Sequence, residues 1–471
     1  MTKPRLTLWA GRASFASAGV VAEQAARLLR SIVLARLLVP SEFGTAVALG
    51  VVLGAVELAS DISAEKYVVL RAADGRDRAR DAAHALQLLR GVLLAALLLL
   101  ASGPLAALMA VPAAQPGIAA LALYPLIRGF AHLDIKQYQH DYRFLPDALA
   151  TCASHGLALA VGVVAAVALA DHRAIIISLL AEALLYTILS HRFAASPWRI
   201  GRDGLALRQA LAFSLPLMAN GVGLAAMAQA DRMIVSSRFG VEALALYAVV
   251  MSVAVAIGYP AVRVLFTLGF SLRVRAASAV GDAAAALASL RIAWMCCLAA
   301  LVFAGGIGLA LDRLVPLLFG PAYAVTGWMH VLAVGVAYLR LARVANTVLL
   351  LAEGRSRAVA VGNLCGLLGV AAAALLCLAW PDPAAVLLGI FLGDVLVEVV
   401  LRWQASAGAP GSVALRRQLA VLLALLAGLL LIQVGGVILG LLGGAAMAGL
   451  TLLLLAVPVA ALAMLFRPGR G

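Results

Sequence analysis

Glu23, Arg27 and Arg30 combine opposite charges at spacings of four and three residues, which places all three on one face of a helix. Guanidinium groups hold phosphate oxygens bidentately and keep their charge when desolvated. Arginines embedded in apolar sequence therefore suit an anionic ligand such as a pyrophosphate headgroup. Arg27, Arg30, Arg128 and Arg263 fall deepest within apolar segments and are the candidate ligand-binding cations. Glu23, Glu182, Asp231 and Asp394 lie in similar surroundings and are candidates for binding a coupling proton or sodium ion. An ionised side chain at a bilayer centre costs about 2.5–3.5 kcal/mol on insertion scales, so this many of them require a polar interior. For each, an internal ion pair or a side chain snorkelling to the interface is the competing reading. Arg36, Arg232, Arg238 and Arg343 lean toward the interfaces.

Other chemistries lack their residues. There is no GxxxxGK[ST] phosphate loop, GxSxG elbow, HExxH helix or glycine-rich dinucleotide turn, so neither hydrolysis nor redox work is expected. Cys152, Cys296, Cys297, Cys365 and Cys377 all lie in apolar stretches without zinc-ligand spacing, which predicts free thiols and no metal. The histidines are scattered, and a lone one such as His155 reads as a satisfied structural residue. No catalytic residue and no cofactor is expected.

The elements that position these charges are membrane spans. The chain has 471 residues, 64% of them hydrophobic and 12% charged, with a mean hydropathy of +1.05. A spanning helix needs about 20 apolar residues. The pattern predicts helices at 12–37, 43–69, 82–110, 117–138, 147–170 and 173–191, then 210–237, 241–270, 286–312, 325–352, 357–379 and 384–403, and a last pair at 415–440 and 443–466. The basic N-terminus is followed by Glu23, Gln24, Arg27 and Arg30 rather than an apolar core with a cleavage site, so it reads as a retained first helix.

The net charge of +14 does not form one basic face, which argues against nucleic acid. It alternates between hops instead. Arg71, Arg76, Arg78 and Arg80, Lys136 and Arg143, Arg192, Arg199, Arg202 and Arg208, and Arg402, Arg416 and Arg417 fall on one side. The other side holds Arg173 and Arg238. The positive-inside rule makes the first side, and both termini, cytoplasmic.

Two outer corners, ARLLVPSEFGTAVALG at 35–50 and SSRFGVEALALYAVV at 236–250, repeat one pattern: an apolar run ends, the chain turns at Pro40 and Gly44 or at Gly240, and an acidic residue precedes a new apolar run. Six helices separate them, which predicts parallel repeats about an axis along the membrane normal. The expectation is an all-α integral membrane protein of about 14 transmembrane helices. Residues 1–200 and 201–405 form two six-helix lobes related by a pseudo-two-fold, and 406–471 add two C-terminal helices. Pro125, Pro216 and Pro260, with Gly221 and Gly223, supply points where spans can bend.

IVLARLLVPSEFGTAVAL at the first corner, ALRQALAFSLPLMANGV opening the second half, QADRMIVSSRFGVEALALYAVV at the second corner and VLLLAEGRSRA closing the tenth helix resemble the Wzx-like polysaccharide or oligosaccharide-lipid flippases. That family belongs to the multidrug/oligosaccharidyl-lipid/polysaccharide exporter superfamily. The resemblance covers the chain to about residue 405. It implies a V-shaped pair of lobes in a bacterial inner membrane that turns a lipid-pyrophosphate-linked oligosaccharide to the outer leaflet by alternating access. Polysaccharide polymerase and glycosyltransferases are the partners it implies. Asp231, Arg232, Arg36 and Glu42 match positions that look architectural. DISAEKYVV at 61–69 departs from the pattern, with Ser63 standing for glycine and Glu65 and Lys66 added. A cation-coupled multidrug extruder of the same fold, with Glu23 and Asp231 as ion sites, is the alternative. A glycan polymerase or ligase would need a sizeable outer loop, and the outer hops are short.

Overall fold

The computed structural model describes residues 21–71, 76–141, 143–256, 258–279, 282–325 and 327–406, and every regular element among them is helical. The two segments expected at 415–440 and 443–466 lie outside the described residues. In order, the elements are α1 (21–37), α2 (Pro40–Ala59), α3 (Ala64–Leu70), α4 (Arg76–Leu100), α5 (Ser102–Leu108), α6 (Gln115–Ala120), α7 (Leu123–Gly129), α8 (Asp134–Gln137), α9 (Leu145–Leu169), α10 (Arg173–Arg192), α11 (Gly204–Met251), α12 (Tyr259–Ala279), α13 (Asp282–Phe319), α14 (Trp328–Ala352), α15 (Ser356–Ala379) and α16 (Pro383–Ser406). Nine helices among the described residues are long and apolar enough to cross a membrane. The chain divides into two compact units, Met1–Ala245 and Leu246–Gly471.

The first corner, and the second as far as Ala245, belong to the first unit. Val39 is extended (φ −67°, ψ 153°) and Pro40 opens α2 at a position where its missing N–H has no helical partner to lose. The turn expected at Gly44 is absent, because Gly44 lies inside α2. Its lack of a side chain serves contact instead: a Cβ there would stand 1.9 Å from the carbonyl oxygen of Val241. At the second corner, α11 breaks at Gly240 (φ 81°, ψ 179°), a conformation open chiefly to glycine. The two corners thus meet backbone to backbone.

Several expected spans are broken, among them 82–110, which divides into α4 and α5, and two whose break has a residue to explain it. The segment predicted at 117–138 divides into α6, α7 and α8, since Pro125 has no N–H to offer the carbonyl of Leu121, which accepts instead from Tyr124 N at 3.0 Å. The piece that follows packs closely on α4, where a Cβ on Gly91 would lie 2.5 Å from Pro125 O. The segment predicted at 43–69 breaks between α2 and α3. Ser63, where the resemblance expects glycine, takes a left-handed conformation (φ 49°). Asp61 accepts the Ser63 N–H at 2.8 Å and its hydroxyl at 3.3 Å, which holds the turn.

In the first unit α9 and α10 form a close antiparallel pair, with Ser178 Oγ donating to Ala158 O at 2.6 Å. In the second unit, glycines bring α15 and α16 together: a Cβ on Gly389 would lie 2.3 Å from Ala373 Cα and one on Gly393 2.6 Å from Gly369 Cα. α14 is the buried centre of this unit, packing Val344, Ala345 and Val348 against Ile292 and Cys296 of α13.

Candidate functional site

The deep charges of the first unit do not stand alone. Arg30 on α1 donates from Nη1 to Glu182 Oε2 on α10 at 2.9 Å, with side chains 13% and 10% exposed. His155 Nδ1, on α9, lies 3.2 Å from the same oxygen, and the Tyr124 hydroxyl, on α7, donates to Oε1 at 3.4 Å. One carboxylate therefore gathers groups from three other helices. His155, read from sequence as a satisfied structural residue, has Glu182 as its partner.

The face shared by Glu23, Arg27 and Arg30 splits in two. Glu23 and Arg27 pair with each other at 2.7 Å, and the Arg27 side chain is 52% exposed. Such an exposed i,i+4 pair contributes about 0.3–0.5 kcal/mol. Arg30 turns inward to Glu182. Arg128, one turn beyond Tyr124 on α7, places its guanidinium 3.8 Å from the centroid of the Tyr186 ring. No carboxylate among the described residues lies within ion-pair reach of it. The ring supplies attraction without cancelling the charge. On its other contacts, the Tyr186 hydroxyl donates to Asp147 Oδ1 at 3.3 Å, and Asp147 pairs with Lys136 at 2.9 Å. Nearby on α4, Arg90 pairs with Glu57 at 2.7 Å and donates to the backbone oxygens of Glu57 and Ser60, both at 2.8 Å.

Asp231 is buried on α11, and its carboxylate accepts the Arg232 N–H at 2.8 Å. Arg263 and Asp394 belong to the second unit. Arg263 is exposed on α12 and has no ion-pair partner among the described residues. Asp394 on α16 is buried and accepts from Arg340 Nε at 3.0 Å and from Arg343, both on α14. One turn along, Glu398 accepts from Asn346 Nδ2 at 2.8 Å and from Arg402 Nη2 at 2.6 Å. Arg402, which the sequence reading placed in the span 384–403 and on the cytoplasmic side, is a buried member of this ladder, 4% exposed.

Arg80 and Lys136, also counted among the cytoplasmic-side cations, are engaged in ion pairs as well. Arg80, 4% exposed, pairs with Asp77 and Asp81 at 2.9 Å, and Lys136 is 12% exposed. Around Arg80, the connection from α10 to α11 is fastened to the end of the first unit. Asp134 Oδ2 accepts the N–H groups of Ala195 at 2.7 Å and Ser196 at 3.1 Å, and His132 Nε2 lies 2.9 Å from Ser196 O. His84 Nδ1 lies 3.1 Å from Arg199 O, and Gly201 N donates to Asp81 O at 2.8 Å. Burial alone would raise the Asp134 carboxyl, but the donated hydrogen bonds and Arg80 outweigh it and hold it below the usual aspartate range.

The family model described as polysaccharide biosynthesis protein matches residues 33–326, well over half of the chain. The chain belongs to that family. The search of curated proteins found no match to the chain. Among solved structures it is similar to the lipid II flippase MurJ in its inward closed conformation, with a TM-score of 0.68 at 10% identity, over 96% of this chain and 99% of that one. It is also similar to an inward-facing multidrug resistance MATE transporter of the MOP superfamily, with a TM-score of 0.67 at 15% identity, over 84% of this chain and 96% of that one. The outward-facing form gives a TM-score of 0.55 at 16% identity, over 85% and 94%. At these identities the likeness establishes a shared all-helical fold. With nine helices among its described residues long and apolar enough to cross a membrane, the chain is a multi-pass membrane protein.

Proposed function

We propose that this protein is a flippase that moves an anionic lipid-pyrophosphate-linked oligosaccharide from the cytoplasmic to the outer leaflet of a bacterial inner membrane by alternating access, for cell-surface polysaccharide. Arg128 carries the reading. It is a cation among apolar helices, braced by an aromatic ring and left with its charge uncancelled by any carboxylate in ion-pair reach among the described residues. A guanidinium in that condition is suited to phosphate oxygens. Arg27, Arg30 and Arg263 are the further cargo contacts, and Glu23, Glu182, Asp231 and Asp394 the candidates for a coupling ion. Arg128 and Arg30 are linked through Tyr124, which stands one turn from the first and bonds the partner of the second. In this reading both termini are cytoplasmic, residues 1–200 and 201–405 are the two lobes, and polymerase and glycosyltransferases act on the same cargo.

The test is deletion in the source bacterium together with flipping by the purified protein in vesicles carrying a labelled lipid-linked oligosaccharide. The expected results are glycan-lipid retained on the cytoplasmic leaflet and label made accessible from the opposite leaflet. Unchanged surface polysaccharide after deletion sinks the proposal. Gradient-driven efflux of cationic drugs without flipping supports the multidrug reading instead.

A further inference from the structure

The connection fastened to the end of the first unit turns its backbone inward and its charges outward. Ala195 and Ser196 donate to Asp134, Arg199 O lies 3.1 Å from His84 Nδ1, and Gly201 N donates to Asp81 O. The Trp198 ring stacks on that of His84, with centroids 5.5 Å apart. The Arg199 and Arg202 side chains are left exposed on this anchored stretch. Arg71 closing α3, Arg78 opening α4, Arg192 closing α10 and Arg208 near the start of α11 are exposed at the same end. The end is shared because Tyr67 of α3, Ala79 and Ala82 of α4 and Ala206 and Ala210 of α11 form one core cluster, while His191, beside Arg192, reaches Phe130 O at 2.9 Å and the Phe130 ring meets Trp198. None of the six guanidinium groups has an ion pair or hydrogen bond among the described residues. The acids at this end serve other groups: Asp77 and Asp81 pair with Arg80, and Asp203 accepts the N–H groups of Leu205 and Ala206.

Bare apolar side chains stand among these cations. Leu70, Ile200 and Leu205 are 64%, 49% and 67% exposed. An acidic protein surface would answer the arginines and leave these side chains unmatched. A bilayer answers both, because its phosphates lie directly over the acyl chains and basic side chains with apolar neighbours settle at that boundary. We infer that this end of the first unit binds the headgroups of anionic phospholipids in the leaflet it faces, with Arg199 and Arg202 as contacts held on a fixed backbone. A headgroup bridging them to Arg78 or Arg208 ties the connection to α4 and α11, so the lipid stabilises the folded chain by mass action. The inference goes beyond cargo transport and takes from that reading only the cytoplasmic orientation of this end.

Melting of the detergent-purified full chain, followed as dioleoylphosphatidylglycerol or dioleoylphosphatidylcholine is added, tests it. The two lipids bring the same acyl chains and differ in headgroup charge. Phosphatidylglycerol should raise the melting midpoint at the lower concentration, and about 1 M salt, where the screening length is about 3 Å, should remove the difference. Arg199→Gln combined with Arg202→Gln should melt like the wild type without lipid, since neither side chain has a partner to lose. It should need about 25-fold more phosphatidylglycerol for the same rise, about fivefold for each arginine removed. Arg238→Gln, at an exposed arginine of the second corner, should respond as the wild type does. Equal responses of the wild type to the two lipids overturn the inference; if the double variant nevertheless loses surface polysaccharide in cells, the surface serves an acidic protein instead. A double variant that keeps the wild-type response, or an Arg238→Gln variant that loses it equally, overturns the assignment to this end. The flippase reading survives each of these results, because it stands or falls on the flipping assay.

Discussion

Arg30 and Arg128 were equivalent in sequence, and the structure makes their alanine variants differ. Arg30→Ala leaves Glu182 and its charge about nine-tenths buried with His155 as the nearest substitute. Removing one partner of a buried ion pair costs about 3–5 kcal/mol, which is a large share of the stability of a helical bundle. Arg128→Ala orphans no carboxylate. It forfeits a cation–π contact of about 0.5–2 kcal/mol and some packing. Arg30→Ala should therefore lower the melting midpoint of the purified protein and its level in the membrane, while Arg128→Ala should leave both near wild type and abolish glycan-lipid flipping. Arg30→Ala with Glu182→Gln should regain much of the lost stability, because the double variant buries no unpaired charge. Melting by size-exclusion fluorescence and flipping in vesicles read the two effects separately. If Arg128→Ala melts as low as Arg30→Ala, or retains full flipping, the distinction between a cation braced by a ring and one held in a buried ion pair is wrong.

Ser63→Gly should raise stability by about 1 kcal/mol, since a left-handed conformation strains a residue with a Cβ; an unchanged or lower melting midpoint would show that the Asp61 bond to the serine hydroxyl matters more. Gly44→Val should disturb the corner contact, because its side chain would occupy the space of the Val241 carbonyl, at a cost of about 1–3 kcal/mol; normal melting and normal flipping together would contradict that contact. Asp134→Asn should destabilise the protein at neutral pH. The Asp134 carboxyl is depressed in the folded state, so its contribution is full above the ordinary aspartate value and is lost as pH falls through the folded value. Melting curves of the two proteins should converge in acid, and a constant gap would rule out the carboxylate as its source.

Much of the architecture was legible because a bilayer imposes long apolar runs and because turns need particular residues. Gly240 announced the second corner through the conformation it adopts, and Pro125 announced a bend that became a full break. Partners were not legible. Arg30 and Glu182 are 152 positions apart, and nothing in either segment names the other. Tyr124 and Tyr186 entered the count as apolar residues although their rings and hydroxyls organise the charged cluster. Arg80 and Arg402 were read by position as cytoplasmic-side charges, whereas their side chains turn inward to carboxylates that only the packed helices bring near. Gly44 misled for a related reason: a glycine can mark a turn or a close approach, and the choice depends on what lies opposite.

The docked connection before α11 sets how far the chain can give at that point. Residues 193–203 would make a generous flexible tether if free, but Ala195, Ser196, Arg199 and Gly201 are each bonded to the end of the first unit. Only the stretch from Gly201 to Gly204 remains as slack, with a reach of about 10 Å when extended. Displacement of α11 beyond that must either unfasten the connection or be absorbed inside the helix, at Pro216 or at Gly240. Lengthening the chain upstream of Gly201 should then change little, whereas the same insertion after it would loosen the coupling between α10 and α11.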